Sequence, residues 1–75
     1  MRGVVRSIIG DKGFGFIKNP ESGQEYFFHK TDYQGNWQDL VEDTLRHSVE
    51  VEFETFKAPK GPRAANVNRV TQIHP

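Results

Sequence analysis

Two short aromatic segments, Lys12-Gly13-Phe14-Gly15-Phe16-Ile17 and Tyr26-Phe27-Phe28-His29, constrain this chain more than any other part of it. Side chains alternate between the two faces of a strand. In the first segment Phe14 and Phe16 share one face, and Gly15 and Ile17 share the other. In the second, Phe27 and His29 point one way while Tyr26 and Phe28 point the other. A barrel interior accepts only one face of each strand, so one aromatic face has to stay outside. Ile17, Tyr26 and Phe28 are the better core candidates. Phe14, Phe16, Phe27 and His29 then form an outward row beside Lys12, the kind of surface on which unpaired bases stack.

The rest of the chain reads as short strands separated by turns. Gly3 to Ile9 is rich in Val and Ile and forms a first strand, ended by Gly10-Asp11. Phe14 to Lys18 and Glu25 to His29 pair as a hairpin around Asn19-Pro20-Glu21-Ser22-Gly23, whose proline and glycine are turn residues. Thr31 to Ser48 is irregular, with a turn at Gly35-Asn36. Within it, Leu40, Val41 and Leu45 have the spacing for a helical turn between Asp39 and Arg46. Val49, Val51 and Phe53 alternate with Glu50, Glu52 and Glu54, a strand with one apolar and one acidic face. Ala58-Pro59-Lys60-Gly61-Pro62 is a loop unsuited to a sheet. Ala64 to Ile73 is the fifth strand, with Ala65 and Val67 on one side and Asn66, Asn68 and Val70 on the other. Five antiparallel strands of this length should curl into a closed or nearly closed all-β barrel, since a flat sheet would leave an apolar face in water.

At 75 residues the chain forms one small domain over 1–75, and a domain this short buries only roughly 60% of its unfolded surface. It has no cysteine, hence no disulfide or thiolate metal site. His29, His47 and His74 are too dispersed to suggest a metal centre, so neither metal nor cofactor is expected. No apolar run reaches the ~20 residues of a membrane span, and the start lacks the apolar core of a signal peptide. A cytoplasmic, monomeric protein without membrane contact is the expectation.

The formal net charge is zero, but it is unevenly spread. Residues 1–18 and 55–75 are basic, the latter carrying Lys57, Lys60, Arg63 and Arg69 without an acid. Residues 39–54 hold six acids against Arg46. A barrel basic on one side and acidic on the other follows, with binding that depends more on stacking than on counterion release.

The segments K-G-F-G-F-I, Y-F-F-H and K-G-P-R-A-A-N-V, in this order and spacing, resemble the cold-shock domain family over nearly the whole chain, from about Arg2 to Val70. The resemblance implies a five-stranded OB-fold barrel that binds single-stranded RNA or DNA through its second and third strands. It assigns base stacking to Phe14, Phe16, Phe27 and His29, and backbone contact to Lys12 and Lys60. Trp37 falls where the family carries a loop aromatic that closes over a base. The chain departs from the family at Ser7 and Ile8, where tryptophan and phenylalanine are usual, and at Lys30, where phenylalanine often follows the histidine. Lys30 offers a phosphate contact in exchange.

Other readings of these residues are plainer. The phenylalanines could all be core, were the opposite face not already filled. Trp37, between Asn36 and Gln38, either docks on the domain or waits for a ligand, and the second is favoured, with Tyr33 as a weaker companion. Arg63, near Lys60, is a weaker phosphate candidate. Gly10, Gly13 and Gly15 lack the lysine and hydroxyl residue that end a phosphate-cradling loop. No nucleophile–base pair or carboxylate pair suggests an enzyme. The expected function is low-specificity binding of single strands, as an RNA chaperone or a regulator of transcription or translation. The alternative is an OB-fold protein-interaction module with weakened nucleic-acid binding, which the departures at Ser7, Ile8 and Lys30 favour.

Overall fold

Asn19 begins the turn between the two aromatic segments by accepting the backbone N–H groups of Glu21 and Ser22 on its Oδ1, at 2.9 and 3.4 Å. The hairpin it closes joins β2 (Phe14–Lys18) to β3 (Glu25–His29), in register Phe14 to His29, Phe16 to Phe27 and Ile17 to Tyr26. A computed structural model describes residues 1–70, in which these strands are followed by a 3₁₀ turn (Lys30–Asp32) and α1 (Trp37–Arg46). β1 (Arg2–Ile9) precedes them, and β4 (Glu50–Ala58) and β5 (Gly61–Arg69) complete a closed barrel in the order β1-β2-β3-β5-β4. No described helix is long and apolar enough to cross a membrane.

The sequence suggests a barrel antiparallel throughout, but one of its pairings is parallel. β3 and β5 run parallel, meeting at Phe27 and Arg63, and the other four pairings are antiparallel. The reason is parity. Strand direction can alternate all the way round a closed ring only when the number of strands is even, so five strands force a parallel neighbour pair. Between β3 and β5 the chain runs through α1 and β4, the long connection that such a pair needs.

The inward face of each strand fills the interior. Ile17, Phe28, Leu40, Val51 and Val67 are fully buried, joined by Val5, Val49, Phe53 and Ala64, and Tyr26 packs on Phe53 with ring centroids 5.3 Å apart. Burying a side chain such as Phe28 contributes about 1.5–3 kcal/mol. Gly15 sits among them because a Cβ there would lie 2.7 Å from the Ser7 carbonyl oxygen and 3.0 Å from the Phe28 ring. The missing side chain lets β1, β2 and the Phe28 ring approach closely.

Three further expectations are revised. The stretch after β3 is more ordered than expected: α1 has ten residues and begins at Trp37. Asn36 caps it, its Oδ1 accepting the Asp39 N–H at 3.0 Å, a bond that strings of helical spacing do not reveal. The 58–62 loop shrinks to the turn at Pro59-Lys60, because β4 runs on to Ala58 and Pro62 lies in β5 opposite Lys57. β3 reaches β5 only at Arg63, so Pro62 lies at a sheet edge, where a missing N–H costs little. In β5 it is Ala64 and Val67, not Ala65 and Val67, that are buried. The step from Glu52 to Glu54 on β4 faces the longer step from Asn68 to Ala65 on β5. The extra residue is absorbed near Asn66, which adopts φ +50°, and this bulge resets the alternation. The expected continuation of that strand to Ile73 lies outside the described residues.

Candidate nucleic-acid interface

The register places the outward aromatics side by side. Phe16 is the direct cross-strand partner of Phe27, and Phe14 that of His29. All four side chains are half-buried, while the alternating partners Gly15, Ile17, Tyr26 and Phe28 face the interior. The three phenyl rings form one cluster: Phe14 lies 5.6 Å from Phe27, Phe16 lies 5.8 Å from Phe27, and Phe14 and Phe16 are 6.2 Å apart with their planes near perpendicular. Such contacts keep the rings from folding over independently, so their outer faces are held in place before any ligand arrives.

The cluster extends beyond β3. Arg63 on β5 is the partner of Phe27 on one side and of Phe56 on the other. Its guanidinium carbon lies 5.5 Å from the Phe27 ring centroid and 6.0 Å from that of Phe56, within cation–π range of both. Arg63 donates from Nη2 to Asp32 Oδ2 at 3.0 Å, and the same oxygen accepts the His29 backbone N–H at 2.9 Å. One carboxylate thus fixes both the guanidinium and the end of β3.

His29 caps the 3₁₀ turn. Its Nδ1 accepts the Thr31 N–H at 3.2 Å and lies 3.0 Å from the Thr31 hydroxyl. With Nδ1 engaged as acceptor, the ring N–H resides on Nε2 and remains available as a donor.

The lysines flank the row. Lys12 is exposed in the β1–β2 turn, where Gly13 takes φ +75° and bonds back to the Ile9 carbonyl at 2.9 Å. Lys30 follows His29 directly, and its aliphatic stem lies over Gly13, where a Cβ would approach it to 3.0 Å. Lys60 lies at the tip of the β4–β5 hairpin, on a groove of about 600 Å³ that Phe16, Phe27, Pro62 and Arg63 also line. Arg2 and Arg6 are paired with Glu52 and Glu25, whereas Lys12, Lys30 and Lys60 have no carboxylate partner among the described residues.

Trp37 is placed differently from expectation. It is not in a loop but in the first turn of α1, half-buried, its ring edge-on to the buried Phe28 at 5.8 Å and its indole N–H donated to the Gly10 carbonyl at 3.2 Å. Docking, the less favoured of the two earlier readings, is what the geometry gives. Polar neighbours in sequence concealed it because Leu40, three residues on, carries the helix into the core. Tyr33 is buried as well, in a bridge to Val67, and so is not a companion stacker. Conversely, Phe56 is 45% exposed on the outer face, two residues beyond the Glu50, Glu52 and Glu54 alternation that marks the strand in the sequence. Carrying the same alternation two residues further finds it.

Comparison with known proteins decides the family. The 'Cold-shock' DNA-binding domain model matches residues 1–70. The chain belongs to the cold-shock domain family. It is 36% identical over 69 residues to a probable cold shock protein A of Mycolicibacterium smegmatis, covering 92% of this chain and 97% of that protein. It is 40% identical over 68 residues to a cold shock-like protein of Aquifex aeolicus, covering 88% and 89% respectively, and 39% identical over 67 residues to cold shock-like protein CspG of Escherichia coli K12, covering 89% and 90%. Proteins of this family bind nucleic acid and are not enzymes.

Proposed function

We propose that this cold-shock domain binds single-stranded RNA or DNA with low sequence specificity, stacking bases on Phe14, Phe16, Phe27 and His29, and that it acts as an RNA chaperone or as a regulator of transcription or translation. One observation carries the reading: the three outward phenyl rings form a single cluster while Ile17, Tyr26 and Phe28 already fill the interior. The rings therefore do not serve as core filler. Lys12 and Lys30 at one end and Lys60 at the other are the backbone contacts in this reading, and the His29 Nε2–H is the donor to a base edge. Trp37 is left out of the stacking surface.

The mechanism is mass action. A base stacked on the protein cannot pair, so binding favours the open strand over its hairpins. Each base–aromatic stack contributes about 1–3 kcal/mol. Three or four of them, less the cost of ordering the strand, correspond to about micromolar affinity, weak enough for release. With no net charge on the chain, the dependence on salt should be shallow.

The test is titration of a labelled oligouridylate or oligothymidylate into the protein and into Phe27→Ala. Binding that saturates, and weakens by ~10-fold or more in a variant that keeps its circular dichroism, is the expected result. Absence of saturable binding by the unmodified protein would overturn the reading in favour of a protein-interaction module.

A further inference from the structure

One residue from each strand lies on a single rung around the outside of the barrel: Ser7, Phe16, Phe27, Arg63 and Phe56, each the register partner of the next. At the β1 end the rung finishes in a hydroxyl. At the β4 end it finishes in a phenyl ring that is 45% exposed and has no other aromatic ring against it among the described residues. Phe56 costs the fold something to keep in water, and no core position requires it.

We infer that Phe56 and Arg63, with Lys60, form an additional nucleotide subsite on the β4–β5 hairpin, which lengthens the binding track past β3. The inference rests on the function proposed above and concerns its extent. The Arg63 guanidinium bridges the Phe27 and Phe56 rings, so the surface available for stacking is continuous from β2 to β4 rather than ending at Phe27. A base stacks on a guanidinium plane as on a ring. The charge suits the occupant: the adjoining groove of about 600 Å³ is lined by Lys60 and Arg63 and by no carboxylate. Asp32 is the acid paired with Arg63, and its bond leaves the Nη1 donors of that side chain unspent. The occupant is therefore one further nucleotide of the same strand, its base over Phe56 and Arg63 and its phosphate against Lys60. Two strand spacings of ~4.8 Å separate β3 from β4, a gap that the Arg63 plane fills.

The experiment measures affinity for oligothymidylates lengthened one nucleotide at a time, for the full chain and for Phe56→Ala, Phe56→Leu and Phe56→Trp. In the unmodified protein one late step in the length series tightens binding by about tenfold. That step is lost in Phe56→Ala and Phe56→Leu and kept in Phe56→Trp, while all four proteins bind the shortest oligomers equally. Leucine preserves apolar bulk but offers no π face, so a purely structural role for the ring would be rescued by it, and that result overturns the inference. An identical length series in all four proteins also overturns it and leaves the proposed function standing. If no oligomer binds any of them, the proposed function itself fails. A concentration-dependent dimer of the unmodified protein that Phe56→Ala abolishes would give the ring to self-association and would likewise overturn the subsite.

Discussion

Ser7 stands directly opposite Phe16 in the β1–β2 ladder, so the outward row ends in a small hydroxyl beside an aromatic ring. A side chain at this position shares the face on which Phe16 and Phe27 present their rings. Ser7→Trp is therefore expected to supply one more stack and tighten binding of single strands by about tenfold, from a contribution of about 1–3 kcal/mol less the ordering of the indole. Titration of labelled oligothymidylate checks it. Thermal stability should barely move, because the new ring is added at the surface. Unchanged affinity would mean that the strand does not reach β1.

Phe16 and Phe28 differ only in which side of the barrel wall they occupy, and the two should respond in opposite ways to truncation. Phe28 is fully buried, touching Trp37 and closing over Gly15. Phe28→Ala is expected to destabilise by about 3–5 kcal/mol, enough to unfold a marginal domain of this size. Phe16→Ala keeps the fold and loses affinity for single strands by ~10-fold. Urea unfolding followed by circular dichroism, beside the titration, separates the two effects. Comparable destabilisation by both would place Phe16 in the core.

Asp32 joins two structures with one carboxylate, the cap at His29 and the guanidinium of Arg63. Loss of a cap costs about 0.5–2 kcal/mol. The ion pair adds to this only in part, since the Arg63 side chain is 35% exposed and screened by solvent while that of Asp32 is 17% exposed. Asp32→Ala is thus expected to destabilise by about 1 kcal/mol through the cap, and to free Arg63 from its position between Phe27 and Phe56. Affinity for long oligomers should then fall while short ones bind as before. Equal loss at every length would mean that Asp32 acts on His29 alone.

The barrel and its outward row could be read from alternation because both aromatic segments are uninterrupted strands, and each carries a full set of rings on one face and core residues on the other. Where a bulge or a cap intervened, alternation misled. The φ of +50° at Asn66 moved burial from Ala65 to Ala64, a backbone event that no side chain in the segment advertises. The parallel pairing of β3 with β5 followed from closure of an odd ring, a property of the whole sheet rather than of any strand. Trp37 was misplaced because its partners, Gly10 and Phe28, are distant in sequence and only the fold brings them to it. Phe56 is legible in the sequence, since it continues the outward alternation of Glu50, Glu52 and Glu54.

The seam between α1 and β5 makes stability depend on acid. Arg69 donates from Nη1 to Asp43 Oδ2, which holds the Asp43 carboxyl below its ordinary range. A folded-state value below the unfolded one means that the contribution is complete above the ordinary carboxylate range and disappears as pH falls through the lowered value. At the same seam, burial raises the Tyr33 hydroxyl above its usual 10.0, partly opposed by the positive Arg69. Its contribution has the opposite form, present below the unfolded value and lost as alkali ionises the phenol. Melting temperature should therefore decline at both extremes. Asp43→Asn should flatten the acid limb and also soften the alkaline one, because the Asp43 charge helps to raise the Tyr33 hydroxyl, whereas Tyr33→Phe should flatten the alkaline limb alone. An acid limb unchanged in Asp43→Asn would show that the seam between α1 and β5 does not set the acid sensitivity of the fold.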